Sequence, residues 1–258
     1  MNDTSTPRRP VESAGPPPLP RRDGERTRTI PEQIADHLGI AILNGDYRSG
    51  ERVLEQQIAE AYGVSRGPVR EAIRTLANRG LVELIPRRGA YVVDISLDTI
   101  ADVFNVRAVL LGLAARCYAR QPSPRSLGDL FDRIWALQGL ATDDGTDPVA
   151  FAHATGRAGA VIYRQCGNGQ LTRMLRVQNE GSLWGLIWRE RPLDFLTPDR
   201  RRQAAADWLA AATEIQAGRD LEAERIVRKA LFESRDASLA MLRQLRHEAV
   251  HPSRLLKD

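Results

Sequence analysis

The sequence is poor in the residues on which most site chemistry depends. Its 258 residues contain four histidines (His37, His153, His247 and His251) and two cysteines (Cys117 and Cys166). So few histidines, so widely scattered, leave little material for an imidazole metal centre. Two distant cysteines fit small buried hydrophobes in a reduced, cytoplasmic protein better than a disulfide framework. No run approaches the roughly 20 apolar residues needed to cross a bilayer. The opening stretch MNDTSTPRRPVESAGPPPLPRRDGERTRT has no apolar core segment, which argues against a secretory signal. Also missing are a nucleophile–base pair, a carboxylate dyad in register and a phosphate loop, so the chain is not expected to be an enzyme.

What remains is an ordinary soluble composition, 42% hydrophobic and 27% charged, on a chain long enough for two cores. The net charge is only +4, but its distribution is uneven: Arg66 to Arg88 holds six arginines against two glutamates. A local excess of that kind favours a phosphate-rich partner.

Residues 1–27 are rich in Pro, Arg, Ser and Thr without apolar periodicity and are expected to form a disordered basic tail that brushes DNA. Residues 28–95 predict three helices and a hairpin. Ile34, Leu38, Ala41 and Ile42 repeat at helical spacing over residues 31–44, with Asn44-Gly45 as the stop. A short strand around Arg52–Leu54 leads to a second helix over Glu55–Tyr62, with Ile58 and Ala61 inward. Gly63 turns the chain, Val64 plugs the turn and Ser65 caps a third helix that carries Pro68 in its first turn. Val69, Ile73 and Leu76 form the buried stripe of that helix, and Gly80 ends it. LVELIPRRGAYVV then reads as two β-rich runs around Pro86-Arg87-Arg88-Gly89. From Ser96 to about residue 248 only helical patterns follow. Ser123-Pro124, Asp147-Pro148 and Thr197-Pro198 each pair a capping side chain with a proline at the first helical position. Further starts near Ser96, Gly169 and Leu221 give about six helices, and residues 249–258 read as a C-terminal tail. The expected fold is mainly α: an N-terminal winged helix-turn-helix, three helices plus a β-hairpin wing, followed by an all-helical antiparallel bundle.

The chemistry concentrates in the third helix and the hairpin. A helix enters the major groove by its N-terminal end, so its first exposed turns meet base edges and phosphates. Arg66 and Arg70 lie opposite the Val69–Ile73 stripe, and the guanidinium fork is the side chain best shaped for guanine O6 and N7 or for a phosphate. Ser65 and the free N–H groups of the helix start add phosphate contacts, and Gly67 permits close approach. Arg74 is expected to pair with Glu71 or reach the DNA backbone. Arg87, Arg88 and Gly89 sit at a hairpin tip suited to the adjacent groove.

On these residues, GERVLEQQIAEAYGVSRGPVREAIRTLANRGLVELIPRRGAYV resembles the DNA-binding domain of the GntR family of bacterial regulators. The residue after Ser65-Arg66 is commonly Thr in that family and is Gly67 here. RAVLLGLAARCYA at Arg107–Ala119 and CGNGQL at Cys166–Leu171 are similar to the FadR-type effector domain, called FCD. The resemblance covers residues 28 to about 245. It implies a cytoplasmic homodimer on a short palindromic operator, released or retained when a small metabolite binds the helical domain.

Many FCD domains hold a divalent ion with an Asp and three His. Matched one by one, those positions fall here on Thr155, Gly159, Trp208 and Ala230, none of which supplies the usual donor atom, so no metal and no other cofactor is expected. A shifted register would leave His153, with Asp147 six residues away, as the nearest substitute. Small Gly159 and Ala230 beside large apolar Trp208, with Arg107, outline a pocket for an apolar or aromatic effector. A collapsed pocket filled by Trp208 is the alternative, and Trp135, Trp184 and Trp188 are either further lining or ordinary core. The function expected is sequence-specific, effector-modulated binding of operator DNA, as a repressor. Its rivals are a purely structural dimerisation bundle without an effector and, last, an enzyme in the helical half.

Overall fold

The computed structural model describes residues 29–181, 192–246 and 249–257. The expected tail over 1–27 and Trp184 and Trp188 therefore lie outside the described residues.

The N-terminal half begins with α1 (Ile30–Asn44), entered through Thr29, whose backbone N–H donates to Glu32 at 2.8 Å. Gly45 closes α1 in the left-handed conformation, as Asn44-Gly45 implied. β1 (Arg52–Val53), α2 (Glu55–Tyr62), α3 (Arg66–Asn78), β2 (Val82–Ile85) and β3 (Gly89–Val92) follow. The three strands form one antiparallel sheet in the order β1-β3-β2, with Arg52 opposite Tyr91 and Ile85 opposite Gly89. Ile34, Leu38, Ile58, Val69, Ile73 and Leu76 meet in the core beneath it. On α2 the inward partner of Ile58 is Ala59 rather than Ala61, which is exposed. The eight-residue helix turns a narrow face to α3, and position 61 falls outside it. Behind the sheet, Asp36 and Arg79 form a buried ion pair at 2.6 Å that ties α1 to the end of α3. One of the six arginines in the basic stretch is therefore structural.

From Ser96 onward the chain is helical: α4 (Leu97–Arg120), α5 (Pro124–Thr142), α6 (Pro148–Gln165), α7 (Gly169–Gly181), α8 (Pro198–Gln216) and α9 (Asp220–Arg246). The Ser-Pro, Asp-Pro and Thr-Pro punctuation is realised in full. Ser123, Asp147 and Thr197 occupy the N-caps of α5, α6 and α8, and each side chain accepts a backbone N–H. α4 runs through the middle of the bundle and packs along α9. Gly112 permits the close approach, because a Cβ there would lie 2.6 Å from Arg228 Cγ and 3.3 Å from the Glu224 carbonyl oxygen.

Residues 249–257 do not trail away as a tail. The His251 N–H donates to Asp98 at 2.7 Å, and Asn105 Nδ2 donates to the Arg254 carbonyl at 2.8 Å. Arg235, stacked 4.8 Å from the Phe232 ring, donates through Nη1 to both Asn105 at 2.7 Å and the Leu256 carbonyl at 2.8 Å. Asp98 and Asn105 lie more than a hundred positions from these partners along the chain, where periodicity carries no signal.

Candidate nucleic-acid interface

Ser65 occupies the N-cap of α3 with extended backbone, but its side chain makes no cap hydrogen bond among the described residues. The expected capping bond is absent, and Ser65, Arg66 and Gly67 at the helix start are all exposed. α3 buries Val69, Ala72, Ile73 and Leu76 and exposes Ser65, Arg66, Gly67, Arg70 and Arg74. The 3.6-residue period separates the two sets by geometry alone.

The two arginines nearest the helix start are not loose. Arg66 Nη2 donates to Gln56 Oε1 at 2.7 Å, and Arg70 Nε donates to Glu55 Oε2 at 2.8 Å. Both partners belong to the first turn of α2. Arg74 behaves otherwise: the expected Glu71 pair is not formed, and among the described residues Arg74 has no ion pair at all. Glu71 Oε lies three residues away on an exposed face, where such a pair is worth only a few tenths of a kcal/mol.

In the wing, the Arg88 N–H donates to the Ile85 carbonyl at 3.0 Å and closes the turn. Arg87 takes φ 63° and Gly89 φ 102°. A left-handed arginine costs about 1 kcal/mol relative to an ordinary backbone, and it projects the side chain clear of the sheet. Arg88 lies 6.0 Å from the Tyr91 ring centroid. Arg52 was not anticipated as part of the site. It sits across from Tyr91 on β1, and its Nε lies 3.4 Å from where a Cβ on Gly89 would be. A β1 register would have been needed to find it, and two residues of strand cannot fix one. A hollow of about 520 Å³ joins wing to helices, lined among others by Arg52, Glu55, Ile73, Pro86, Arg87 and Gly89. Wing and α2–α3 thus present one basic face.

In the bundle, the five residues matched to an effector pocket are all buried: Arg107, Thr155, Gly159, Trp208 and Ala230. Trp208 lies against Gly159, its Cη2 3.3 Å from the position of a Cβ there, with Leu111 Cδ2 3.6 Å from the same position. Thr155 Oγ1 donates to the Phe151 carbonyl at 3.0 Å, so its hydroxyl is spent within its own helix. Arg107 Nη1 donates to the Leu175 carbonyl at 3.3 Å, and burial pushes its guanidinium down to about 10. His153 is half-buried and Asp147 caps α6. Among the described residues no three His, Cys, Asp or Glu are grouped closely enough to hold a metal ion. Trp135 is 59% exposed and lines no pocket in the core, because its position falls on the solvent side of α5. Sequence reasoning also missed Asp194, which is 3% exposed and lies in a 3-10 turn before α8.

Residues 30–92 match the model of bacterial regulatory proteins of the gntR family, and residues 102–232, half of the chain, match the FCD domain. An uncharacterized HTH-type transcriptional regulator of Mycobacterium tuberculosis is 34% identical over 112 residues, 43% of this chain and 45% of that protein. The gluconate operon transcriptional repressor of Bacillus subtilis is 37% identical over 78 residues, 30% of this chain and 32% of that protein. These matches therefore span less than half the length of either relative. Among solved structures, Lar, which controls the expression of the Listeria monocytogenes agr system, superposes with a TM-score of 0.61 at 19% identity. That superposition covers 84% of this chain and 100% of that one. E. coli McbR/YncC gives a TM-score of 0.55 at 18% identity, covering 84% of this chain and 99% of the other. At those identities the likeness concerns the fold: a small winged domain joined to a helical bundle.

Proposed function

Because the chain belongs to the GntR family of bacterial regulatory proteins and carries an FCD domain, we propose that it is a transcriptional repressor that binds palindromic operator DNA as a homodimer. The observation that carries this reading is the set of exposed arginines on neighbouring elements: Arg66 and Arg70 on α3, Arg87 and Arg88 in the wing, and Arg52 on β1, of which Arg52 and Arg87 line the hollow. Buried stripe and exposed arginines alternate on α3 as a major-groove helix requires, and the wing arginines suit the neighbouring backbone. Selection of duplexes from a random pool by the full chain tests it. The reading expects an enriched inverted repeat, with Arg66→Ala or Arg70→Ala costing about 1–3 kcal/mol of specific binding. A pool that stays random after repeated rounds refutes it.

One recognition helix reads only a few base pairs, so a unique site needs two copies. α4 supports a second copy of this chain as partner. Val103, Val106, Leu110, Leu113 and Cys117 follow the alternating three- and four-residue spacing of a coiled-coil seam. Val106 is 51% and Leu113 38% exposed, and Val109 beside them is 46% exposed. Met174 and Val177, 52% and 59% exposed, extend the apolar surface onto neighbouring α7.

In this reading a small molecule modulates the bundle. The indole of Trp208 over Gly159, with Leu111 beside it, supports an apolar or aromatic ligand that displaces the ring. The same packing favours a second reading, in which Trp208 is permanent core and the bundle only dimerises. Thermal stabilisation of the full chain by an aromatic carboxylic acid or a long-chain acyl thioester, kept or increased in Trp208→Ala, supports the first. Absence of stabilisation by either class supports the second.

A further inference from the structure

Two consecutive side chains in the first turn of α2 hold Arg70 and Arg66 of α3, the two arginines assigned above to base reading. We propose that Glu55 and Gln56 are positioning residues that set the base discrimination of Arg70 and Arg66, a step that rests on the DNA-binding reading above.

The geometry is specific about which edges are used. Glu55 takes Nε of Arg70 at 2.8 Å. An arginine held by Nε keeps both terminal nitrogens free, and those are the pair that meets guanine O6 and N7 end-on. Gln56 is fixed at both ends of its amide. Its Nε2 donates to Glu60 at 3.0 Å, which aims its Oε1 at Arg66 Nη2, 2.7 Å away. Arg66 thus keeps Nε and Nη1 for DNA. None of these contacts is buried: the Arg70 and Glu55 side chains are 58% and 37% exposed. Exposed pairs of this kind add little to stability. Their effect lies elsewhere, in restricting long side chains that would otherwise lose rotamer freedom on binding. Glu55 also puts a negative charge beside the phosphates, which lowers affinity for every duplex alike. An order that weakens all binding while fixing one arginine edge serves selectivity.

The test uses the full chain, the duplex it enriches from a random pool, and a scrambled duplex of the same composition. Affinities are measured by fluorescence anisotropy at two salt concentrations, alongside melting temperatures. For Glu55→Ala the scrambled duplex should bind more tightly, and the ratio of specific to scrambled affinity should fall about tenfold, the scale of a loosened bidentate contact. Glu55→Gln keeps an acceptor for Nε without the charge. It should recover most of the ratio while retaining the gain on scrambled DNA. Gln56→Ala should lower the ratio with no gain on scrambled DNA. Equal gains on both duplexes in Glu55→Ala would make Glu55 a bystander charge and overturn the proposal, as would an unchanged ratio. Failure to enrich any duplex would overturn the DNA-binding reading itself.

Discussion

The Asp36–Arg79 pair sets one buried arginine apart from the exposed ones of the basic stretch, and its removal has a calculable consequence. The side chains are 7% and 5% exposed with their charged atoms 2.6 Å apart. Asp36→Ala leaves a guanidinium in the core of the winged domain without its counter-ion, a loss of about 3–5 kcal/mol. Alanine returns roughly 0.5 kcal/mol of helix propensity in α1. The net loss of about 3 kcal/mol or more, at roughly 4–8 °C per kcal/mol for so small a domain, should lower its transition by well over about 10 °C. Replacing both partners, Asp36→Leu with Arg79→Met, removes the orphan charge and should recover most of the loss. Differential scanning calorimetry of the full chain reads both. The double variant should also keep the wild-type salt dependence of duplex binding, whereas Arg87→Ala should flatten the slope by about one unit. A single variant within 1 kcal/mol of wild type, or a double variant no more stable than the single, would refute the reasoning.

Three further outcomes are expected. Val106→Glu with Leu113→Glu places charge in the α4 seam, and sedimentation at micromolar concentration should show a monomer where the parent is a dimer; a dimer in both would place the interface elsewhere. Burial raises the Asp194 carboxyl from 3.8 to about 7, offset only in part by Ser234 and Arg200. Its contribution to stability is complete below the unfolded value and is lost as pH rises from about 4 to about 7, so Asp194→Asn should flatten the fall in melting temperature across that window. A parallel fall in the variant would assign the pH dependence to other groups. With Thr155, Gly159, Trp208 and Ala230 at the matched ligand positions, untagged protein should carry far less than one Zn, Ni or Mn per chain, and chelator should leave its melting temperature unchanged. One tightly held metal, lost with His153→Ala, would show that the ligand positions are shifted.

The winged domain was legible because its signals are local. Ser65, Pro68 and the Val69–Ile73–Leu76 stripe fix α3 within thirteen residues, and an exposed arginine opposite a buried valine follows from helical pitch. The proline-marked caps at Ser123, Asp147 and Thr197 work in the same way, through bonds to backbone two or three positions on. Errors came where a decision depends on another element. Ala61 and Ala59 are chemically alike, and only the angle of α2 against α3 chooses between them.

The sequence by itself determined that this chain has a basic winged helix-turn-helix ahead of a helical bundle, because short-range periodicity and capping are written in neighbouring residues. Tertiary structure alone decided the pairings. It buried Arg79 on Asp36, set Glu55 and Gln56 against Arg70 and Arg66, laid Trp208 over Gly159 and folded residues 249–257 back on α4. Each is a contact between distant segments whose partners are common residue types, so no local pattern announces it. Only packing in three dimensions brings them within bonding distance.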